Sequence, residues 1–246
     1  MECHSEPQLE RDGYAIVPGV LTAAGVDRLI GAIGEVRSTS PSVREKQDRL
    51  YAMRNLMALL PAIRALADAP EIRSLVDPVL GPSARVVRGL LFDKTPGANW
   101  KVAWHQDLSI AVRRRAEVAG FGPWSLKAGV QHVQPPVGVL RNMLTVRLHL
   151  DDCGSDNGPL YVLPGSHAEG VLSPEQVEEW RNRAAPAACL VSAGGALVMR
   201  PLLLHASFPA SSARHRRVVH LEYAAGDLPG GLEWYEGSAG STPSPE

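Results

Sequence analysis

Residues 143–152, MLTVRLHLDD, alternate without a break. In an extended chain Leu144, Val146, Leu148 and Leu150 fall on one face, and Thr145, Arg147 and His149 on the other. A helix would scatter these residues around its circumference, whereas a strand sorts them into two rows. The leucine and valine row asks for an apolar layer to cover it. The second row carries an arginine and a histidine, and a buried guanidinium needs an anion beside it. This run therefore calls for a sheet with one packed face and one face lining something polar.

Further segments supply the sheet. ARVVRGLLFDK (84–94), GPLYVLPGSH (158–167) and RRVVHLEYAA (216–225) read as strands, and ALVMRPLLLHAS (196–207) as one or two strands parted at Pro201. Helical periodicity dominates the earlier part. After a polar arm (1–14) and a short strand in GYAIVPGVL, Thr22 is placed to cap a helix over 23–36. Its Val26, Leu29, Ile30 and Ile33 share one face. Residues 37–50 are polar and read as loop. Two more helices are expected over 56–67 and 70–80, with Pro78 a candidate break and Gly81-Pro82 a stop. Ser173, Pro174 and Gln176 predict a capping box at the start of a short helix over 173–183.

Helices followed by many short strands indicate an α+β chain with a sandwich or barrel core. The stretch 111–142 fits neither period, and a connection of that length is expected to act as a lid. The low-complexity end, 236–246, is expected to be flexible. With no repeat and no linker, one domain over 1–246 is expected, helical over 15–83 and β over 84–225.

Composition removes several function classes. A net charge of −1 offers no footprint for nucleic acid or an anionic membrane. Cys3, Cys153 and Cys189 are too scattered for a disulfide framework or a zinc finger. No apolar run is long enough to span a bilayer, and the first residues lack the apolar core of a leader. A cytoplasmic protein acting on a small molecule is expected; monomer and homodimer are equally open.

Chemistry enters at residues 104–108, WHQDL. His105 and Asp107 stand at i and i+2, so an extended segment turns both to one side. A surface turn would explain the pair as well, because H-x-D is a weak signal alone. His205, at the end of an apolar strand, is the candidate third ligand. Two imidazoles and one carboxylate make the facial set of non-haem Fe(II) oxygenases.

Four stretches together resemble the phytanoyl-CoA dioxygenase-like family of Fe(II)- and 2-oxoglutarate-dependent oxygenases. They are Trp104-His105-Gln106-Asp107, Asp156-Asn157-Gly158-Pro159-Leu160 with Val162-Leu163-Pro164-Gly165-Ser166-His167, His205-Ala206-Ser207, and Arg216. Order and spacing agree over about 84–225. The resemblance implies a double-stranded β-helix core of the jelly-roll or cupin kind, with the N-terminal helices packed on one sheet. It implies Fe(II) on His105, Asp107 and His205, with 2-oxoglutarate and O2 consumed to succinate and CO2. It assigns Arg216 to the far carboxylate of 2-oxoglutarate, with a hydroxyl hydrogen bond from Ser207. A guanidinium suits that carboxylate as a planar, permanently charged fork.

Arg214 and Arg217 compete with Arg216. Parity puts Arg217 in a row with Val219, Leu221 and Tyr223, facing the helices, and Arg216 with Val218 and His220, facing inward. Leu90, Thr145 and Arg147 are placed in the co-substrate pocket. A core role for Leu90 stays open, as does a substrate contact or an ion pair with an aspartate for Arg147. Arg54, Trp104, Trp124, His132 and Gln134 are candidate substrate contacts, with Lys127 in the same lid. His149 is expected to be a structural hydrogen-bonding residue, and the resemblance gives His167 no metal role. Gly194-Gly195-Ala196-Leu197 departs from the Gly-Asp found in many members, removing a turn carboxylate but no ligand. The expected reaction is hydroxylation of a small polar or carboxylate-bearing molecule. The alternatives are an iron-free binding protein of the same fold and a halogenase, the latter disfavoured by Asp107.

Overall fold

The alternating run lies in the middle of the largest sheet of the computed structural model, which describes residues 5–36, 42–46, 49–212 and 214–236. The strands in chain order are β1 (Tyr14–Val17), β2 (Val43–Lys46), β3 (Arg49–Met53), β4 (Arg85–Lys94), β5 (Val102–His105), β6 (Ile110–Val112) and β7 (Trp124–Lys127). They continue with β8 (Val130–Val133), β9 (Met143–His149), β10 (Leu160–Val162), β11 (Ala187–Cys189), β12 (Ala196–Met199), β13 (His205–Ser207) and β14 (Arg216–Ala224). A seven-stranded sheet runs β1-β12-β9-β14-β4-β3-β2, and a four-stranded sheet runs β11-β10-β13-β5. A three-stranded sheet, β6-β8-β7, stands apart. From β4 onward the chain passes repeatedly between the two larger sheets, the alternation of a double-stranded β-helix.

Leu144, Val146 and Leu148 of β9 and Val219, Leu221 and Tyr223 of β14 are buried under the helical layer. That layer comprises α1 (Ser5–Asp12), α2 (Ala23–Gly34), α3 (Leu56–Leu59), α4 (Pro61–Ala67) and α5 (Pro70–Leu80). Each fully buried leucine here contributes about 2 kcal/mol. Thr22 caps α2 by accepting from the Gly25 N–H at 3.2 Å. Tyr223 donates its hydroxyl to Ala67 O at 2.9 Å, tying sheet to helix. A second apolar cluster, including Leu160, Val162, Leu197 and Leu203, joins the two sheets. The inward row Thr145, Arg147 and His149 is buried as well. Beyond the sheets, α6 (Val137–Arg141) precedes β9, and α7 (Pro174–Arg183) carries the predicted capping box.

Several elements differ from expectation. Part of the polar arm is the helix α1, seated by the buried Leu9. The segment read as loop over 37–50 contains β2 and the start of β3. β3 in turn pairs with β4, Ala52 opposite Phe92 and Met53 opposite Leu91, so the hairpin extends the large sheet at its edge. Residues 37–41 and 47–48 lie outside the described residues. The helix expected over 56–67 is two helices, because Leu60 precedes a proline and is extended at φ −133°. Pro78 sits within α5 without ending it.

The stretch 111–142 contains β7, β8 and α6, with β6 overlapping its start. Ala128 and Gly129, at φ 51° and 77°, join β7 to β8 as a two-residue loop with both residues left-handed. An Ala-Gly turn lacks the Asn or Asp that makes such a hairpin visible in sequence. At the other end, Glu236 is buried and accepts the Gly89 N–H at 2.8 Å, so it does not belong to a flexible tail. Residues 237–246 lie outside the described residues.

Candidate active site

The end of β5 and the start of β13 run side by side, with His105 opposite His205. Past β5, the Asp107 N–H donates to Pro201 O at 2.9 Å, which turns its carboxylate toward both rings. Asp107 Oδ1 is 3.8 Å from His105 Nε2, and Oδ2 is 3.7 Å from His205 Nε2. These separations exceed a hydrogen bond. The three donor atoms lie within 4.8 Å of one another, leaving room for a cation among them. Nδ1 of His105 is 2.8 Å from Ala103 O, and Nδ1 of His205 is 2.8 Å from Leu203 O. A carbonyl only accepts, so each Nδ1 carries the proton and each Nε2 lone pair is free for a metal. Burial pushes His205 down to about 4, so its ring is neutral at pH 7. Burial acts to raise the Asp107 carboxyl, but the charges of His205, His220, His105 and Arg147 outweigh it and hold it at about 2. A carboxylate with two imidazoles is the donor set of non-haem Fe(II).

Next to this set lie three buried cations. Arg216 opens β14 directly across from Lys94 on β4. Its Nη1 donates to Gly158 O and to Ser207 Oγ, the latter at 3.3 Å, while its Nε meets no partner. Lys94 donates to Ser207 Oγ at 2.8 Å and Phe208 O at 2.6 Å. Burial and the Arg216 charge push Lys94 down to about 8. Arg147 Nη1 lies 2.8 Å from His220 Nδ1, and Arg147 Nε is also unpartnered. Among the described residues none of the three forms an ion pair, although unpaired buried charge costs several kcal/mol per ion. A dicarboxylate at this spot would supply the missing anions, so the residues fit 2-oxoglutarate.

The backbone is shaped around these cations. Gly158 has φ +61°, and a Cβ there would lie 2.9 Å from Phe208 O and 3.2 Å from Lys94 Nζ. Asn157, fully buried, anchors the same loop by donating to Asp152 O and His215 O. The Asn-Gly step of the sequence motif is thus a packing requirement.

A cavity of about 460 Å³ extends from the triad. Leu90, Arg147, Ser207 and Arg216 line it as expected, and so does Arg54. The remaining predictions fare differently. No aspartate salt bridge to Arg147 occurs among the described residues; its partner is His220. Thr145 is buried without a partner for its hydroxyl and does not reach the cavity wall. Trp104 alternates with His105 on β5 and also lies off that wall. Trp124 packs into an apolar cluster, with the Arg115 guanidinium 5.7 Å from its ring. His132 is buried, Nδ1 3.0 Å from Val130 O, and burial and then Arg88 push it down to about 4. The Gln134 backbone pairs with Gly122 and Pro123. Of the expected lid residues, only Lys127 faces the cavity. His149 is buried with Nδ1 unpartnered, so the expected hydrogen-bonding role is not seen there. Arg217 pairs with Asp151 at 2.5 and 2.8 Å, and Arg214 pairs with Asp156 at the surface.

Sequence reasoning missed Lys94, Arg88, Phe92, Trp100 and Glu222. All but Trp100 were recoverable, Glu222 by sharing the parity of Arg216 and His220 on β14. Arg88, Leu90, Phe92 and Lys94 share one parity on β4, so strand alternation turns them inward as it does Arg147 on β9.

A double-stranded β-helix with a His/Asp/His set beside buried, unpaired cations defines the class of Fe(II)- and 2-oxoglutarate-dependent oxygenases. The phytanoyl-CoA dioxygenase (PhyH) family profile matches residues 9–218, and the chain belongs to that family. It is accordingly an Fe(II)- and 2-oxoglutarate-dependent dioxygenase of the hydroxylase type. The L-proline trans-4-hydroxylase of Streptomyces griseoviridis is 24% identical over 87% of this chain and 82% of its own. The crystal structure of AviO1 from Streptomyces viridochromogenes Tue57 superposes with a TM-score of 0.63 at 26% identity, covering 93% of this chain and 97% of that one. EctD from S. alaskensis, solved with 2-oxoglutarate and 5-hydroxyectoine, superposes with a TM-score of 0.70 at 19% identity, covering 89% and 74%, and shows the shared fold. Among the described residues no helix is long and apolar enough to cross a membrane.

Proposed function

We propose that this chain, as one oxygenase domain, hydroxylates a small polar or carboxylate-bearing molecule with release of succinate and CO2. The carrying observation is the triad of donor atoms within 4.8 Å, set beside three buried cations without a carboxylate of their own. The named activity of the proline hydroxylase relative supports a small substrate. Bound iron, with 2-oxoglutarate and O2, supplies the oxidising power to place oxygen in a C–H bond.

The chain's own residues do the rest. His105, Asp107 and His205 hold the metal through Nε2 and carboxylate oxygens. Arg216 and Ser207 grip the far carboxylate of 2-oxoglutarate, with Lys94 behind Ser207 fixing its hydroxyl. Arg147, held by His220, faces the metal end, and His220 leans on Glu222 at 3.2 Å. Leu90, Phe92 and Leu160 line the cavity with apolar surface and exclude water. Asp107 occupies the position that a halogenase would leave for a halide. The β7–β8 hairpin is the lid element, contributing Lys127; exchanging it should alter substrate range, and an unaltered range would remove the lid assignment.

Anaerobic titration with Fe(II) and 2-oxoglutarate tests the site through the visible metal-to-ligand charge-transfer band of the chelate. The band should be lost in His105→Ala and demand far more 2-oxoglutarate in Arg216→Ala. A folded, iron-supplied wild type without the band would refute the reading.

A further inference from the structure

Two cavities of similar size meet at one wall. The first contains the triad. The second, about 440 Å³, lies between β3 and the segment after β4 and is lined by residues such as Tyr51, Met53 and Ala98. Arg54, Leu90, Phe92 and Trp100 belong to both walls. No metal ligand and none of the three buried cations lines the second cavity. Its surface is largely apolar and aromatic, with the Tyr51 and Trp100 rings edge to face at 5.7 Å. Asn99 is not free to read a ligand, because its amide is spent on both the N–H and the carbonyl of Ala210.

Arg54 stands where the two cavities join. Its guanidinium is half-buried and has no hydrogen bond or ion pair among the described residues. The nearby charges do not neutralise it. Arg88 is already paired with Glu222 at 3.0 Å, and Lys127 reaches only Ser109 Oγ at 3.3 Å. Burial, then Arg88 and Arg44, push Arg54 down. A cation at a cavity junction, short of an anion and surrounded by like charge, is built to meet an anion arriving with a ligand. Arg216 takes the far carboxylate of 2-oxoglutarate in the reading above, and Arg54, which lines the second cavity as well as the first, is left for another anion.

We propose that the second cavity is the outer part of the substrate site, and that the substrate is an organic anion carrying a flat apolar ring. Its acid group, carboxylate or phosphate, sits on Arg54. The ring lies against Tyr51 and Trp100, and the carbon to be oxidised points back toward the triad. This rests on the oxygenase reading above.

The test uses the full chain loaded with Ni(II) in place of Fe(II) and saturated with 2-oxoglutarate. Calorimetry then compares phenylphosphonate, an acid bearing a ring, with methylphosphonate, the same acid without one. Phenylphosphonate should bind roughly tenfold more tightly, the scale of one good aromatic contact. Tyr51→Ala should erase that difference, and Trp100→Leu on the shared wall should do the same. Arg54→Gln should weaken both probes by about tenfold while leaving 2-oxoglutarate affinity unaltered. Equal binding of the two probes by the wild type, or a ring preference that survives both aromatic substitutions, would overturn the proposal. So would a loss of 2-oxoglutarate affinity in Arg54→Gln, which would assign Arg54 to the co-substrate. Failure of the Ni(II)-loaded wild type to bind 2-oxoglutarate at all would overturn the oxygenase reading first, and this proposal with it.

Discussion

The inner and outer ends of the cavity are built from different material. At the inner end every functional side chain projects from, or directly follows, a strand of the β-helix: His105 and Asp107 at β5, His205 and Ser207 on β13, Arg147 on β9, Arg216 and His220 on β14, and Lys94 on β4. Antiparallel register fixes their spacing, and most are nearly inaccessible to solvent. At the outer end Arg54 follows an edge hairpin, Lys127 comes from the separate three-stranded sheet, and Trp100 lies between β4 and β5. A ladder of strands holds a constellation rigidly, whereas hairpins and connections tolerate change. The inner end therefore suits chemistry that needs fixed geometry, and the outer end suits the choice of substrate.

If that division is right, damage to the inner end should be larger and of a different kind. His205→Ala should lower iron-dependent succinate formation by roughly a thousandfold or more, the scale of losing a whole catalytic group. Assay of succinate from 2-oxoglutarate checks this, and residual activity near wild type would break the comparison. Arg216→Ala should raise the KM for 2-oxoglutarate by about a hundredfold, as for truncation of one partner in a buried charge pair. Arg216→Lys should recover part of that loss by restoring charge without the fork.

A pH experiment sharpens the inner end further. Lys94 is pushed down to about 8, and its charged form is the one that favours a bound dianion. Affinity for 2-oxoglutarate should therefore fall as pH rises through about 8, and Lys94→Met should flatten that dependence. Arg147, pushed by burial and then Arg216 only to about 10, stays charged across this range. Stability of the ligand-free protein should move the opposite way. The unfolded lysine keeps its proton up to 10.5, so between about 8 and 10.5 the unfolded state binds more protons and Lys94 favours folding as pH rises. Parallel calorimetric Kd and urea-unfolding series would separate the two trends.

The smallest expected effect lies outside both ends. Tyr223→Phe removes the hydroxyl bond to Ala67 O and should cost about 1 kcal/mol in urea unfolding. The KM for 2-oxoglutarate should not change, because Tyr223 faces the helices and not the cavity.

The same division explains what could be read in advance. The His105/Asp107 pair and the inward row of β9 follow from period-two geometry, which is local and leaves a visible pattern, and Arg216 came from the family resemblance. Choosing Arg216 over Arg217 needed nothing beyond parity along one strand. Trp124, His132 and Gln134 failed as cavity residues because the segment that holds them folds into its own small sheet, and the two-residue turn at Ala128-Gly129 carries no strong sequence signal. Trp100 was invisible because it lies between strands and its role depends on what stands across from it, whereas Glu222 shares the inward parity of Arg216 and His220. Thr145 shows the limit of parity itself, since it shares the inward row with Arg147 yet stops short of the cavity wall.

By itself the sequence determined the strand faces, the α2 cap, the capping box of α7, the metal-ligand types and the family. Each of these depends on residues a few positions apart, or on a motif whose members keep their order. The tertiary structure alone decided that Lys94, Arg147 and Arg216 converge without a carboxylate among them. It alone decided that Arg54 stands at the joint of two cavities. Those facts depend on which strands become neighbours across the two sheets, and strand pairing is settled by the packing of the whole chain.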